Sequence, residues 1–181
     1  MKPQREFKSK ILELKNPGKF IGYASVFDII DQNHDIILPG AFKHTLKNKN
    51  LLDVKLLWQH NPNQPIGRIN KLLEDNYGLF IEAELILSLT QAKEAYTLIK
   101  EKIVVGLSIG YKIKSSYFNK KIQKRVITEL DLFEISLVTF PANPKALINE
   151  VKNNNNSPLL SLSFALANAI QILSTNKENK I

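Results

Sequence analysis

Apolar runs of about four to eight residues, each closed by a Pro, Gly, Asn or Asp signal, recur along most of this chain and favour short strands over long helices. Phe20-Ile21-Gly22-Tyr23-Ala24-Ser25-Val26-Phe27 is aromatic and β-branched and reads as a strand. The polar stretch 31–35 reads as a turn, 36–38 as a short apolar run stopped by Pro39-Gly40, and 41–46 as a short helix. A strand over 54–58 leads into a loop stiffened by Pro62 and Pro65. Segments 66–69 and 79–85 flank a turn at Asn76-Tyr77-Gly78 and predict an antiparallel hairpin. Residues 107–114 alternate with period two, and 126–130 and 134–140 predict two further strands, the last ended by Pro141 and Pro144. The clearest helix is 90–102, with Ala92, Ala95, Tyr96 and Ile99 on one stripe. About seven to nine short strands with one marked helix predict a mainly β, α+β chain: a barrel or sandwich with added helices.

Composition bears on what such a domain can do. The chain has 181 residues, 44% of them hydrophobic, which suffices for a buried core. It has no Cys, so a disulfide scaffold, a Cys nucleophile and a thiolate metal site are excluded. Its three His make a His-rich zinc site unattractive, and no cofactor is expected. The net charge of +8 permits an anionic partner. Yet the densest basic group (Lys112, Lys114, Lys120, Lys121, Lys124, Arg125) reads first as a solvated hairpin, with no stacking motif of a nucleic-acid module beside it. The polar start Met1-Lys2-Pro3-Gln4-Arg5-Glu6 lacks an apolar signal core, so the expected compartment is the cytoplasm. Three segments are expected: a domain over 1–150, an Asn-rich linker over 151–158, and an apolar helix with a polar tail over 159–181. The apolar part is shorter than a membrane span requires and is expected to dock on this domain, a partner or a second copy.

Gly106-Leu107-Ser108-Ile109-Gly110 satisfies G-x-S-x-G, the nucleophile elbow of α/β-hydrolases. Two features oppose that reading. The elbow needs a strand-to-helix turn, whereas the residues after Ser108 keep strand alternation, and no His follows position 60 to serve as base. A base for Ser108 must therefore come from upstream; a plain strand serine between small residues is the competing reading. His60 is the best base candidate, at a strand end with a pKa suited to taking a hydroxyl proton. His34, in a polar turn among carboxylates, and His44, on a short helix beside Lys43 and Lys47, are weaker. A third group usually orients the imidazole. Glu134 sits inside Leu132-Phe133-Glu134-Ile135-Ser136-Leu137-Val138, where a carboxylate needs a partner; Asp131 and Glu129 are alternatives. Backbone N–H groups near Ser108 and Ile109, Arg125 or Arg68 could stabilise an oxyanion. Gly106 and Gly110 would let a substrate backbone approach.

Three blocks in order then resemble a known family. The first is Gly22-Tyr23-Ala24-Ser25-Val26-Phe27 with Asp35-Ile36-Ile37-Leu38-Pro39-Gly40-Ala41-Phe42. The second is Leu57-Trp58-Gln59-His60-Asn61-Pro62 with Pro65-Ile66-Gly67. The third is Gly106-Leu107-Ser108-Ile109-Gly110-Tyr111 with 132–144. Over about residues 7–150 they resemble the prohead (capsid maturation) serine proteases of tailed phages and prophages. The resemblance implies a fold similar to the herpesvirus assemblins, a mostly antiparallel β-barrel surrounded by helices. It implies a serine endopeptidase with His60 as base, Ser108 as nucleophile and Glu134 at the acidic position, where the related viral enzymes use a second His. It also implies partners and place: the major capsid protein and its scaffolding segment, self-cleavage, and action inside an assembling prohead in the bacterial host. A homo-oligomer is compatible with it. A non-catalytic capsid assembly or scaffold protein on the same fold is the alternative reading.

Overall fold

The computed structural model describes residues 17–151. Apart from Val151, the expected linker and the apolar C-terminal helix lie outside the described residues.

Eight strands form one strongly curled sheet, and two helices lie against it. In chain order they are β1 (Lys19–Val26), β2 (Asp35–Ile37), α1 (Lys43–Asn48), a 3-10 turn (Leu51–Asp53), β3 (Lys55–Trp58), β4 (Asn61–Glu74), β5 (Gly78–Leu85), α2 (Thr90–Lys100), β6 (Gly106–Asn119), β7 (Lys124–Val138) and β8 (Ile148–Val151). The strand order is β2-β7-β3-β4-β5-β1-β8, with β6 on the other side of β7. The short strands β2 and β3 run parallel to β7; the other pairs are antiparallel.

The segment just before and at the start of β8 brings the two ends of the sheet together. Leu107 N donates to Ala146 O at 2.8 Å and Ile148 N to Val105 O at 2.8 Å, while Tyr23 N donates to Leu147 O at 3.1 Å. The chain around Leu147 thus bridges β6 and β1 and curls the sheet into a barrel. This contact needs a glycine on β1: a Cβ on Gly22 would meet Leu147 O and lie 2.9 Å from Ile148 Cα. Inward residues from every wall fill the interior, among them Phe20, Leu56, Ile66, Ile81, Leu107, Ile135 and Leu137, each at most 1% exposed. The helix α2 lies against β4 and β5 with Ala92, Ala95 and Ile99 buried, as its apolar stripe predicts.

Two expectations need correction. Segments 126–130 and 134–140 are not separate strands but one, β7, running through the polar Glu129-Leu130-Asp131 stretch. Leu130 and Leu132 pair regularly with Ile113 and Tyr111 and are fully buried, while Asp131 between them reaches Lys49 at 2.7 Å; the register shifts against β6 fall on either side, between Gly110 and Tyr111 and between Ile113 and Ser115. The proline-rich stretch after His60 is also strand rather than loop. It forms the start of β4, where Trp58 pairs Asn61 but Leu57 already pairs Pro65, so residues 62–64 bulge out of the ladder. A bulge tolerates a proline because its missing N–H has no ladder partner to lose. The basic 112–125 stretch is a projecting hairpin with most of its residues exposed, in line with the sequence.

Candidate active site

The β6/β7 pairing decides which side chains meet. Ser108 is the register partner of Ser136, and Gly110 that of Glu134. Side chains of antiparallel partners share a face, and positions two apart on one strand do too. Ser108, Ser136 and Glu134 therefore stand together on the outer face of the barrel, while Leu107, Ile135 and Leu137 point into the core. Ser108 sits mid-strand with no helix following, so it is not on a nucleophile elbow and the α/β-hydrolase reading falls.

His60 reaches this face from the turn between β3 and β4. Gln59 and His60 both have positive φ, +52° and +59°, the pattern that a type I′ reversal requires. Neither residue is a natural occupant, and left-handed backbone costs an L-residue about 1–2 kcal/mol. Neighbouring bonds hold the turn. Gln59 N donates to Leu137 O at 2.9 Å, and its side-chain amide clasps Thr139, donating to Oγ1 at 2.9 Å and accepting from the backbone N–H at 3.3 Å. The His60 N–H donates to Ser136 Oγ at 3.1 Å.

The His60 ring meets Glu134, with Nδ1 and Oε1 2.5 Å apart. A carboxylate has no proton to give, so Nδ1 carries the hydrogen and Nε2 keeps its lone pair. Ser136 Oγ donates to the other carboxylate oxygen, Oε2, at 2.7 Å. One serine thus ties down both the backbone of His60 and the carboxylate that holds its ring. The hydrogen bond to Glu134 raises the His60 pKa above its ordinary 6.5; partial burial pulls the other way, and the carboxylate's charge adds to the rise.

Gly110 makes the contact geometrically possible. A Cβ there would lie 2.8 Å from both Cγ and Cδ of Glu134 and would collide with Oε1. The carboxylate lies across the glycine on its way to His60. The expectation that Gly110 admits a substrate backbone gives way to this: its open face is occupied by Glu134.

The structure brings His60 and Glu134 into contact and sets Ser108 across from Ser136, to which His60 is bonded. Ser108 is 5% exposed, and its hydroxyl has no hydrogen-bond partner among the described residues. The alternatives lie elsewhere. Asp131 pairs Lys49, and Glu129 stands opposite Ser115 farther along the hairpin. Arg68 pairs Glu84 at 2.8 Å on β4 and β5. Arg125 forms a bidentate pair with Asp35, at 2.8 and 2.6 Å. His34 contacts Lys124 at 3.0 Å, and His44 is exposed on α1. Ser136 is the residue that sequence reasoning missed. The signal was present, since Glu134 and Ser136 are two apart in a strand and so share a face.

Comparison with known proteins agrees with this architecture. The chain is 35% identical over 138 residues to the prohead protease of Enterobacteria phage HK97, a match covering 75% of this chain and 61% of that protein. It spans only about three fifths of the length of that relative. Among solved structures, the capsid assembly protease of bacteriophage T4 superposes with a TM-score of 0.52 at 14% identity, covering 68% of this chain and 84% of that one. The varicella-zoster virus protease superposes with a TM-score of 0.51 at 12% identity, covering 90% and 79%. At such identities these two show a shared fold, the curled and mostly antiparallel barrel expected from the herpesvirus resemblance. The family model described as caudovirus prohead serine protease matches residues 5–159, and the chain belongs to that family.

Proposed function

We propose that the chain is a serine endopeptidase of capsid maturation, with Ser108 as nucleophile, His60 as general base and Glu134 as the group that orients and charges the imidazole. The observation that carries this is the His60 Nδ1–Glu134 contact on the face where Ser108 stands opposite Ser136. With Nδ1–H held by the carboxylate, Nε2 takes the Ser108 proton as Oγ attacks a peptide carbonyl. The same proton then goes to the leaving amine, and water, deprotonated by His60, releases the acyl group. Backbone N–H groups beside Ser108 are left as the oxyanion donors, since Arg68 and Arg125 are held by Glu84 and Asp35.

The substrate docks as an extended strand. Beyond Leu107 the second edge of β6 pairs with no strand among the described residues, so its backbone groups beside Ser108 are open to a peptide. Such an edge suits a flexible segment better than a folded domain. The segment meant here is the scaffolding part of the major capsid protein, with a site in this chain itself as a second target.

Co-expression with the capsid protein tests the reading. Wild type shortens that protein from its N-terminal region; Ser108→Ala and His60→Ala leave it full length. Processing that survives Ser108→Ala, or capsids that assemble equally well with intact capsid protein and either variant, would replace the enzyme with a non-catalytic assembly factor.

A further inference from the structure

β6 pairs one edge of β7 along its length, so the short strands β2 and β3 share the other. β2 covers that edge over 125–127 and β3 over 134–137, which leaves 128–133 without a strand. The α1 segment fills the gap. Leu130 N donates to Ala41 O at 3.1 Å. Thr45 Oγ1 donates to Leu130 O at 3.2 Å and accepts from Leu132 N at 3.0 Å. Lys49, the residue that closes α1, completes the series, its Nζ donating to Leu132 O at 2.9 Å. The same ammonium pairs with Asp131 Oδ1 at 2.7 Å and stands 4.6 Å from the centre of the Phe133 ring. One side chain therefore holds Asp131, Leu132 and Phe133 together, and the next residue is Glu134.

This stretch of β7 is where the register can change. Gly110 pairs Glu134 and Tyr111 pairs Leu132, so Phe133 is an extra residue with no partner on β6. A bulge displaced by one position would set Phe133 opposite Gly110 and leave Glu134 as the unpaired residue. Only these two would exchange places, and the rest of the ladder would keep its pairs. An aromatic ring beside a cross-strand glycine is a favourable arrangement, so the competing register has something to gain. It would draw the carboxylate off His60. The Lys49 ammonium opposes it by holding the Phe133 ring on the α1 side of the strand. The other cation near Glu134 is its register partner on β3, Lys55, whose Nζ is engaged by Leu52 O at 2.6 Å.

We infer that Lys49 is a positioning residue of the active site: by fixing the bulge at Phe133 it keeps Glu134 opposite Gly110 and in contact with His60. The catalytic consequence rests on the protease reading above; the geometry does not.

Lys49→Met keeps the alkyl stem and removes the ammonium. Two measurements on the full chain test it, the His60 pKa from ring-proton NMR and single-turnover cleavage against pH. Glu134 raises the His60 pKa, so in Lys49→Met the NMR value and the acid limb of kcat/KM should both move down. The rate kcat should fall by ~10- to ~10²-fold with KM little changed, the scale of a misplaced catalytic group. In a Glu134→Gln background Lys49→Met should add nothing to either readout, because both act on one contact. Lys49→Arg, which retains a charge for Asp131 and stacks on Phe133, should restore both. Thr45→Val is the structural control: its bonds go to Leu130 and Leu132, and both readouts should stay at the wild-type values. Lys49→Gln, uncharged but able to donate to Leu132 O, should shift both in the same direction as Lys49→Met, and it decides the matter should Lys49→Met not fold. A Lys49 variant that loses stability but keeps the wild-type His60 pKa, or losses that add to those of Glu134→Gln, would overturn the positioning role alone. Wild-type Ser108 that no fluorophosphonate labels would overturn the protease reading, and the His60 pKa would still decide whether Lys49 sets the contact.

Discussion

Replacing Glu134 with Gln removes a charge at nearly constant shape, and its consequences can be worked out from the site. In wild type the carboxylate accepts from His60 Nδ1 at 2.5 Å and from Ser136 Oγ at 2.7 Å. A glutamine amide presents one acceptor and one donor. If the donor faces His60, the imidazole proton moves to Nε2 and the ring can no longer take the serine proton. If the acceptor faces His60, the tautomer survives but the imidazolium formed during attack loses its counter-charge. The corresponding change in a Ser-His-Asp triad costs about 10⁴ in kcat, or about 5 kcal/mol. The His60 side chain is 44% exposed, so solvent screens part of the charge term while the tautomer term stands. We therefore expect kcat to fall by ~10² to ~10⁴ with KM little changed. The pH profile gives an independent sign. Catalysis needs neutral His60, and Glu134 raises its pKa, so the acid limb of kcat/KM lies above 6.5 in wild type. In Glu134→Gln that limb moves to lower pH. Stability moves in step. The ion pair stabilises the fold below the unfolded-state histidine pKa and is lost as pH rises through the raised folded value, so the variant loses this pH-dependent part. The assay is single-turnover cleavage against pH, with thermal unfolding across the same range. An acid limb that stays in place, or a loss of activity under tenfold, would refute the role assigned to Glu134.

Three other substitutions separate catalysis from folding. Gly110→Ala should displace the Glu134 side chain, lower activity to the level of Glu134→Ala, and add nothing further in the double variant, since both remove one contact; a double-mutant cycle measures this. Ser136→Ala strips a partner from the His60 N–H and from Glu134 Oε2. Chemical denaturation should show a loss of ~1–3 kcal/mol, and the acid limb of the activity profile should shift, with partial rescue by Ser136→Thr. Thr45→Val is the contrasting case. It breaks the buried bonds that Thr45 Oγ1 gives to Leu130 O and takes from Leu132 N, so it should cost ~1–3 kcal/mol of stability while activity per folded molecule is retained.

Much of this was readable before any coordinates, for identifiable reasons. The helix over 90–102 and the strand over 20–27 appear as Thr90–Lys100 and Lys19–Val26, because each carries its full periodic signal within its own residues. Glu134 stood out because a carboxylate inside an apolar run demands a partner. β7 was split in two because its bulges break the period-two pattern, and only pairing with β6 shows that the strand continues. The prolines after His60 disguised the start of β4, since the bulge that admits them depends on β3. Gly110 could not be assigned from local sequence, because its role exists only once the β6/β7 register sets it opposite Glu134; the two-residue spacing of Glu134 and Ser136 signals a shared face but not that Ser108 lies across from it. Asp31 reads as a turn residue and is one.

The most direct measurement is the site of covalent modification. After fluorophosphonate treatment of active, assembling protein, peptide mass spectrometry should find one phosphonylated residue, Ser108, and none in His60→Ala. Modification of another serine such as Ser136, or of Ser108 at an undiminished rate without His60, would contradict the account.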